Sequence, residues 1–348
     1  AQDIASRTTL YGAVPFPAVD RLKWRAMHRA AGIRARTWSC ITVGARLRAL
    51  GTTAERPVVP RLAEPELRQY REQGWCVPSY RLPPATWKGL EGALERLLAA
   101  NPDVPPEELV NAHLSGDEGS KQANNVVGDD AFLRVGADPA VTDIVAAVLG
   151  TPDVILWACH VFCKPPGRGR RVPFHQDGPY WPIEPMEAAT VWVAIDASDA
   201  GNGCLQVVPG SHRWGELAHE AVRGDAALGV GVRDELLAGL PEPSLVELAP
   251  GQLSVHDAML LHGSAGNGSQ RRRAGAAFHY MAAGAHFDRS GLKPASRGFG
   301  YEARPLLWVR GEACNPRNSL VRDLRPRRAV CRAALAEEAR EASARVGQ

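Results

Sequence analysis

The sequence predicts a mainly β domain, a barrel or a sandwich, that follows a group of helices. From residue 153 to about 285, the chain contains short apolar stretches typical of strands: VILWACHVFCK, TVWVAID, CLQVVP, SLVELAP, QLSVHD, MLLHGS and AGAAFHYMA. Turn sequences rich in Gly, Pro, Asn and Asp separate them. The periodicity of amphipathic helices lies mainly before residue 150. Seven strands at this spacing indicate an antiparallel β core with helices packed beside it.

The helices before the β core are predicted from their apolar spacing and their end residues. The first covers 64–73 and is followed by GWCVP, which is typical of a short strand. The second covers 86–98, with Thr86 as its cap, and the third covers 139–149, with a proline at its start. Residues 102–131 are polar and contain Gly, Asp and Asn, so they predict a long surface loop.

Three segments follow from this pattern. Residues 1–61 are rich in Arg and Ala and predict an extension of uncertain order, with one possible basic helix at RLKWRAMHRAAGIRA. Residues 62–311 form the predicted domain, and LLWVRG is its last strand. Residues 312–348 form a tail in which AVCRAALAEEAREASARV predicts a solvated helix.

Composition excludes several classes of function. Hydrophobic residues make up 45% of the 348 residues, which permits a sizeable core, and the net charge of +3 does not predict nucleic acid or an anionic membrane as a partner. No apolar run is long enough for a membrane span, and AQDIASRTTLYG does not resemble a secretory signal. The seven cysteines are odd in number and scattered, so a reducing cytoplasm is the expected location.

The sharpest local signal is the segment Phe174-His175-Gln176-Asp177. On an extended strand, His175 and Asp177 face the same way, and a distant histidine would complete a 2-His-1-carboxylate set with open coordination positions. A His-x-Asp motif alone is weak evidence for a metal site, because it arises often by chance. His262 is the preferred third ligand, since it ends an apolar strand and enters a Gly-containing turn. His256 and His279 are rivals, and each has the alternative of being a structural histidine.

Arg273 is the second signal. Arg271-Arg272-Arg273 alone would be a solvated turn, but the strand AGAAFHYMA that follows favours an inward-facing Arg273. A buried guanidinium can clamp a dicarboxylate through two parallel hydrogen bonds, and Ser264 would add a hydroxyl.

A zinc site is the alternative for Cys159, His160 and Cys163. Cys159 and Cys163 would share one face of a strand, but about 13 Å apart. No second Cys/His pair with zinc-finger spacing follows, so zinc is disfavoured.

Three longer segments resemble the phytanoyl-CoA dioxygenase family. They are HQDGPYWP, NGCLQVVPGSHRWGEL and PGQLSVHDAMLLHGSAGNGSQRRRAGAAFHYMAA, and the resemblance covers roughly 62–311 and is densest between 153 and 285. It implies an oxygenase that depends on Fe(II) and 2-oxoglutarate, with O2 as the other cosubstrate. It also implies a double-stranded β-helix core, a jelly-roll of the cupin type.

The resemblance also implies roles for individual residues. His175, Asp177 and His262 match the iron ligands, and Arg273 matches the arginine that binds the distal carboxylate of 2-oxoglutarate. The same resemblance implies lesser roles for Ser264 as a hydroxyl partner at that end, for Lys121 as a lysine near the cosubstrate, and for Gln176 as the middle of the motif.

The implied reaction oxidises a small organic substrate and releases succinate and CO2. Halogenating relatives have a small residue where this chain has Asp177, so a carboxylate there favours hydroxylation or another oxidation such as desaturation. The substrate is not determined, and neither is the oligomeric state. The candidates for the substrate pocket are Gln176, Tyr180, Trp181, Trp157, His160, Trp192 and Arg289.

Two other classes remain open at this point. A cupin-like metalloenzyme that does not use 2-oxoglutarate would share the barrel, but it usually needs a tighter His-x-His cluster and leaves Arg273 without a role. A non-catalytic binding barrel would not need the set of His175, Asp177, His262 and Arg273.

Overall fold

The structure, a computed structural model, describes residues 62–115, 126–222, 224–290 and 300–326. Contacts between Cα atoms divide the chain into a unit of residues 1–55 and a unit of residues 56–348, and the fold below belongs to the second. The predicted extension at 1–61, its basic helix and the predicted tail helix lie outside the described residues.

Five α-helices occur in the described ranges. They are α1 (Glu64–Gln73), α2 (Pro84–Ala100), α3 (Asp130–Gly136), α4 (Pro139–Leu149) and the short α5 (Asp234–Leu237). The first ends at Gly74, whose φ of 83° is a left-handed conformation that glycine adopts without strain. The carboxylate of Asp138 caps α4 by accepting hydrogen bonds from the backbone N–H groups of Ala140 and Val141. No helix in these ranges has both the length and the apolar character needed to cross a membrane.

The start of α2 corrects one sequence prediction. Thr86 does not cap this helix, because the helix begins two residues earlier, at Pro84. Proline suits the first turn, where its missing N–H would have no partner within the helix.

The strands form two main sheets and two small two-stranded sheets, β5 with β14 and β8 with β9. In chain order they are β1 (Trp75–Cys76), β2 (Leu109–Val110), β3 (Val154–Lys164), β4 (Val172–His175), β5 (Ile183–Glu184), β6 (Ala188–Ala194), β7 (Leu205–Val207), β8 (His219–Ala221), β9 (Val230–Val232), β10 (Ser244–Val246), β11 (Leu253–Asp257), β12 (His262–Ser264), β13 (Arg273–Ala282), β14 (His286–Phe287), β15 (Leu306–Arg310) and β16 (Val321–Asp323). The larger sheet has the order β1-β11-β6-β13-β3-β15-β16, with β2 added to β3, and the smaller has the order β10-β7-β12-β4. This is the predicted mainly β jelly-roll with flanking helices.

The helices cover the outer face of the larger sheet. Leu90, Leu94 and Ile144 from the helices form one fully buried cluster with Val161 and Phe278 from β3 and β13. Both faces of these central strands are therefore buried, which explains why VILWACHVFCK is almost continuously apolar. The inner face of the sheet is left to form the site.

A β-bulge in β3 decides which of its side chains face inward. His279 pairs with Ala158 and Tyr280 with Leu156, so Trp157 is an extra residue without a direct partner. A bulge of this kind shifts the alternation of side chains along the strand. As a result, Trp157 belongs to an inner cluster while Cys159 and Cys163 belong to the outer one.

Two further segments differ from their predicted form. Residues 102–131 are not a surface loop throughout, because β2 pairs with β3 and Leu114 is buried. Beyond residue 311, β16 pairs in parallel with β15 and so continues the sheet.

Candidate metal centre and active site

The smaller sheet brings two histidines together. His175 ends β4, His262 begins β12, and the two are direct partners in antiparallel register. Their ring centroids are 4.3 Å apart. Asp177, two residues after His175, places Oδ1 3.4 Å from Nε2 of His175. One potential ligand atom from each of the three residues lies within 4.8 Å of the others, which is the cluster that the sequence predicted.

Hydrogen bonds fix the orientation of both imidazoles. Nδ1 of His175 lies 2.9 Å from the carbonyl oxygen of Pro173, and Nδ1 of His262 lies 2.9 Å from that of Leu260. Since a carbonyl only accepts, each Nδ1 carries the proton and donates it. Each Nε2 therefore presents a lone pair towards the other ligands, as metal-binding histidines do.

Asp177 is held as a carboxylate. Burial would raise its pKa, but the neighbouring imidazoles of His175 and His262 outweigh burial and keep the pKa well below its usual range. Its two oxygens have different surroundings, because Oδ1 faces His175 while Oδ2 lies 3.4 Å from Oγ1 of Thr190.

The donor set fits Fe(II). Two neutral imidazole nitrogens and one carboxylate oxygen on one side of an ion leave the other coordination positions open, as in non-haem Fe(II) oxygenases. Burial lowers the pKa of His262 well below its usual value, so this ring stays neutral and able to bind a metal. The rivals His256 and His279 line the same cavity, but they are not part of the cluster found among the described residues.

A pair of buried cations lies near the triad. Arg273 in β13 and Lys164 in β3 are direct cross-strand partners, and their exposed fractions are 3% and 0%. Nζ of Lys164 donates to Oγ of Ser264 over 2.7 Å. Two like charges in this arrangement repel each other. Among the described residues, no carboxylate lies within ion-pair distance of either cation.

Burial and a cationic neighbour lower the pKa of Lys164. Burial lowers its pKa to about 6, and Arg273 adds to this effect, while Glu107 opposes it. Burial likewise lowers the pKa of Arg273 to about 10. Both groups would therefore gain from an anion placed between them. Ser264 lines the cavity at this point, and its hydroxyl proton is available to a ligand because its oxygen already accepts from Lys164.

The guanidinium of Arg273 is held in place from two sides. Its Nε donates to the carbonyl oxygen of Gly203 over 3.0 Å, and a second nitrogen donates to the same oxygen. The ring of Trp192 lies 5.4 Å from the guanidinium carbon. A Cβ at Gly275 would come within 2.0 Å of this ring, so glycine is needed there.

The opposite end of the cavity is neutral and largely aromatic. It is lined by His160, Tyr180, Trp181, Thr190, His279 and Tyr301. Burial lowers the pKa of His279 to about 4 and that of His160 well below its usual value. Neither ring carries a charge near neutral pH.

Not every predicted pocket residue faces this cavity. Trp157 is fully buried behind it, with its ring 4.8 Å from that of Trp181. Gln176 is also fully buried, and its amide bonds to the backbone of Gly215, Leu217 and Met259.

Arg289 is likewise away from the cavity. Its guanidinium donates to the carbonyl oxygens of residues 301, 302, 304 and 319 and so braces the C-terminal segment. Lys121 lies outside the described residues. Of the predicted pocket set, His160, Tyr180, Trp181 and Trp192 line the cavity.

Three residues of the site were missed by sequence reasoning: Lys164, Thr190 and Tyr301. Lys164 was visible as the only charged residue of an apolar strand, which is a signal for a buried functional cation. The disfavoured zinc site does not form, because Cys159 and Cys163 are free thiols in the outer core and His160 lines the cavity on the opposite face.

The fold and the triad together define a class, the jelly-roll proteins with a 2-His-1-carboxylate metal site. The particular family follows from a match between residues 70–275 and the family model described as phytanoyl-CoA dioxygenase. The chain belongs to the phytanoyl-CoA dioxygenase family.

Individual relatives share only a modest sequence identity with this chain. A probable phytanoyl-CoA dioxygenase of Caenorhabditis elegans is 26% identical over 234 residues, which cover 63% of this chain and 75% of that protein. An ectoine dioxygenase of Sphingopyxis alaskensis is 31% identical over 167 residues, covering 43% of this chain and 54% of that protein. The peroxisomal phytanoyl-CoA dioxygenase of Bos taurus is matched over 48% of its length. Apart from the nematode protein, the chain thus spans about half of these relatives.

Solved structures share the fold. The non-heme monooxygenase ThoJ in its apo form has a TM-score of 0.55 at 23% identity, covering 80% of this chain and 94% of that one. The epimerase SnoN, in complex with Fe3+, alpha ketoglutarate and nogalamycin RO, has a TM-score of 0.53 at 22% identity, covering 71% of this chain and 98% of that one.

Proposed function

We propose that this protein is an Fe(II)- and 2-oxoglutarate-dependent oxygenase that hydroxylates, or otherwise oxidises, a small organic substrate. For hydroxylation, a substrate C–H bond, O2 and 2-oxoglutarate would give an alcohol, succinate and CO2. One oxygen atom of O2 enters the alcohol and the other enters succinate.

One observation carries this proposal: the buried cations Arg273 and Lys164 lie directly opposite each other without a carboxylate partner among the described residues. Such a pair needs an anion, and a carboxylate held there can accept hydrogen bonds from Arg273 and from Ser264. Ser264 is two residues from His262 along β12, so an anion at this end lies next to the metal ligands. A dicarboxylate with one end here and the other at the metal suits both features.

Two sets of residues would have separate binding roles. His175, Asp177 and His262 would hold the iron, and Arg273, Lys164 and Ser264 would hold the distal carboxylate of 2-oxoglutarate. When bound, Fe(II) supplies the redox chemistry that activates O2. The aromatic wall at Trp181 excludes water from the reacting groups and orients the substrate.

The reaction type is inferred from the ligand set. Asp177 supplies a third protein ligand, which supports hydroxylation or desaturation and not halogenation. Proteins of similar structure include a monooxygenase, an epimerase and a carbocyclase, so the fold does not choose among these outcomes. Hydroxylation is the simplest outcome for a site with this complete donor set.

The two alternative functions explain less. A cupin-like enzyme without 2-oxoglutarate, or a non-catalytic barrel, gives no reason for burying Arg273 and Lys164 together beside a metal triad. A small molecule is the expected partner, because the cavity is mostly apolar and aromatic side chains contribute much of its lining. A reducing compartment such as the cytoplasm would suit an oxidisable iron and the five free cysteines in the described ranges.

The test is succinate formation by the purified protein with a library of small organic compounds. We expect succinate release that needs Fe(II), 2-oxoglutarate and O2 together and that rises with a true substrate. Mass spectrometry of the product then separates hydroxylation, a gain of one oxygen, from desaturation, a loss of two hydrogens. Turnover without 2-oxoglutarate would favour the cupin-like alternative, and metal-independent ligand binding without turnover would favour the non-catalytic one.

A further inference from the structure

His279 lies at the neutral end of the cavity and is 5% exposed. It is the cross-strand partner of Thr190 in β6, and its Nδ1 lies 2.9 Å from Oγ1 of Thr190. The rings of Trp181 and Trp157 lie 5.0 and 5.5 Å from its own. The imidazole is therefore fixed on its Nδ1 edge, and the residue lines the cavity.

Thr190 determines which nitrogen of His279 carries the proton. Its hydroxyl lies 3.4 Å from Oδ2 of Asp177, and a carboxylate can only accept. The Thr190 proton is thus directed to Asp177, because the opposite arrangement would set two lone pairs against each other in a buried site. The Thr190 oxygen then accepts from Nδ1–H of His279.

This chain of hydrogen bonds leaves Nε2 of His279 as a bare acceptor. In the structure, Nε2 is buried and has no hydrogen-bond partner among the described residues. Leaving a buried polar group unpaired is unfavourable, because the group loses its hydrogen bonds to water and gains none in the protein. Burial also lowers the pKa of His279 to about 4, so the ring does not remove this lone pair by protonation near neutral pH.

We propose that His279 is a substrate-positioning residue whose Nε2 accepts a hydrogen bond from an O–H or N–H group of a substrate with an apolar, ring-bearing body. The proposal rests on the proposed function, since the same cavity holds the metal and the cosubstrate. Sites built to pair with a hydroxyl or an N–H strongly reject analogues that lack it. The substrate class is thus narrowed to molecules that carry a hydrogen-bond donor beside an aromatic or alicyclic ring.

The first experiment observes the tautomer directly. The full chain, labelled with 15N in histidine and loaded with Zn(II) as a diamagnetic substitute for Fe(II), is studied by NMR, with the His279 signals assigned from His279→Leu. We expect a protonated Nδ1 and a bare Nε2 in the wild type. Thr190→Val removes the hydroxyl and should produce a mixture of tautomers. A wild-type ring protonated at Nε2 would overturn the proposal.

The second experiment measures donor selectivity with four small probes: phenol, aniline, toluene and anisole. Phenol and aniline should shift the Nε2 resonance and bind at least ~10-fold more tightly than toluene and anisole, since a lost hydrogen bond of this kind costs about 1–3 kcal/mol. This preference should disappear in His279→Leu and persist in the control His286→Leu, whose histidine lies in β14 outside the cavity lining.

Equal binding of the four probes, no detectable binding of phenol or aniline at tens of millimolar, or an unchanged preference in His279→Leu would each contradict the role of His279. Failure of the proposed function looks different. In that case 2-oxoglutarate would neither bind near Arg273 nor be turned over, whatever the probes do at His279.

Discussion

The two ends of the cavity are built on different principles. At one end, the basic side chains Arg273 and Lys164 are buried side by side, and Lys164 donates to Ser264, which lines the cavity together with Arg273. At the other end, His160 and His279 are neutral and stand among aromatic rings. The metal triad lies between these two surroundings and borders both.

The difference indicates what each end recognises. Buried basic groups suit a ligand that always carries negative charge, which is true of a dicarboxylate cosubstrate shared by a whole class of enzymes. Neutral groups with a defined hydrogen-bond direction suit a substrate that differs between relatives. Changes at the cationic end should therefore alter cosubstrate binding, and changes at the neutral end should alter the choice of substrate.

The largest effect is expected at the triad, which both ends share. Asp177→Ala removes the only carboxylate ligand, so Fe(II) binding should fall below stoichiometric and turnover should drop at least ~1,000-fold. Metal content after dialysis and succinate formation measure the two effects. Asp288→Ala, whose carboxylate side chain is 39% exposed, is the control and should retain its iron. Full turnover by Asp177→Ala would contradict the assignment of Asp177 as a metal ligand.

Arg273→Ala should disable the cationic end while the neutral end keeps working. Loss of a buried, charge-assisted hydrogen-bonding partner costs about 2–3 kcal/mol, so the Kd for 2-oxoglutarate should rise ~100-fold. Anaerobic calorimetry on the Fe(II) enzyme measures this constant. The matched control is Arg271→Ala, because that side chain is 56% exposed and pairs with Asp199 at the surface. An unchanged Kd for 2-oxoglutarate in Arg273→Ala would contradict the role of Arg273 in binding the cosubstrate.

Lys164→Met removes one of the two basic groups at this end of the cavity without leaving a large void. We expect the Kd for 2-oxoglutarate to rise about 10-fold, a smaller effect than for Arg273, since Lys164 acts on the ligand partly through Ser264. Lys88→Met serves as the control, because Lys88 is an exposed lysine on α2. A 2-oxoglutarate affinity equal to that of the wild type would assign Lys164 a structural role only.

Lys164 also predicts a pH dependence. Its pKa of about 6 in the free protein means that it is protonated below pH 6 and largely neutral above it. A bound dianion raises this pKa, so binding above pH 6 takes up a proton and weakens by up to ~10-fold per pH unit as pH rises. Calorimetry in two buffers of different ionisation enthalpy measures the uptake. Lys164→Met should show none of it.

The sequence predicted the cationic end better than the neutral end. Arg273 was found because its position after His262 and before an apolar strand is a feature of the chain itself. Lys164 was missed, because the register that sets Lys164 opposite Arg273 depends on how β3 and β13 pair. The bulge at Trp157 is also invisible in the sequence, and it decides which side chains of β3 face inward.

The prediction with the smallest effect on ligand choice concerns Gln176, which lies between two metal ligands in sequence but faces neither end of the cavity. Its amide makes three hydrogen bonds of 2.8–2.9 Å to the backbone of residues 215, 217 and 259. Gln176→Leu leaves these backbone groups unpaired, so the free energy of unfolding should fall by about 2–4 kcal/mol, as measured by urea denaturation. Gln176 faces neither end of the cavity, so its loss should weaken the binding of both ligands to a similar degree. The ratio of the Kd for 2-oxoglutarate to the Kd for phenol should therefore change less than ~3-fold. A large change in this ratio would instead place Gln176 at one end of the cavity, as a pocket residue.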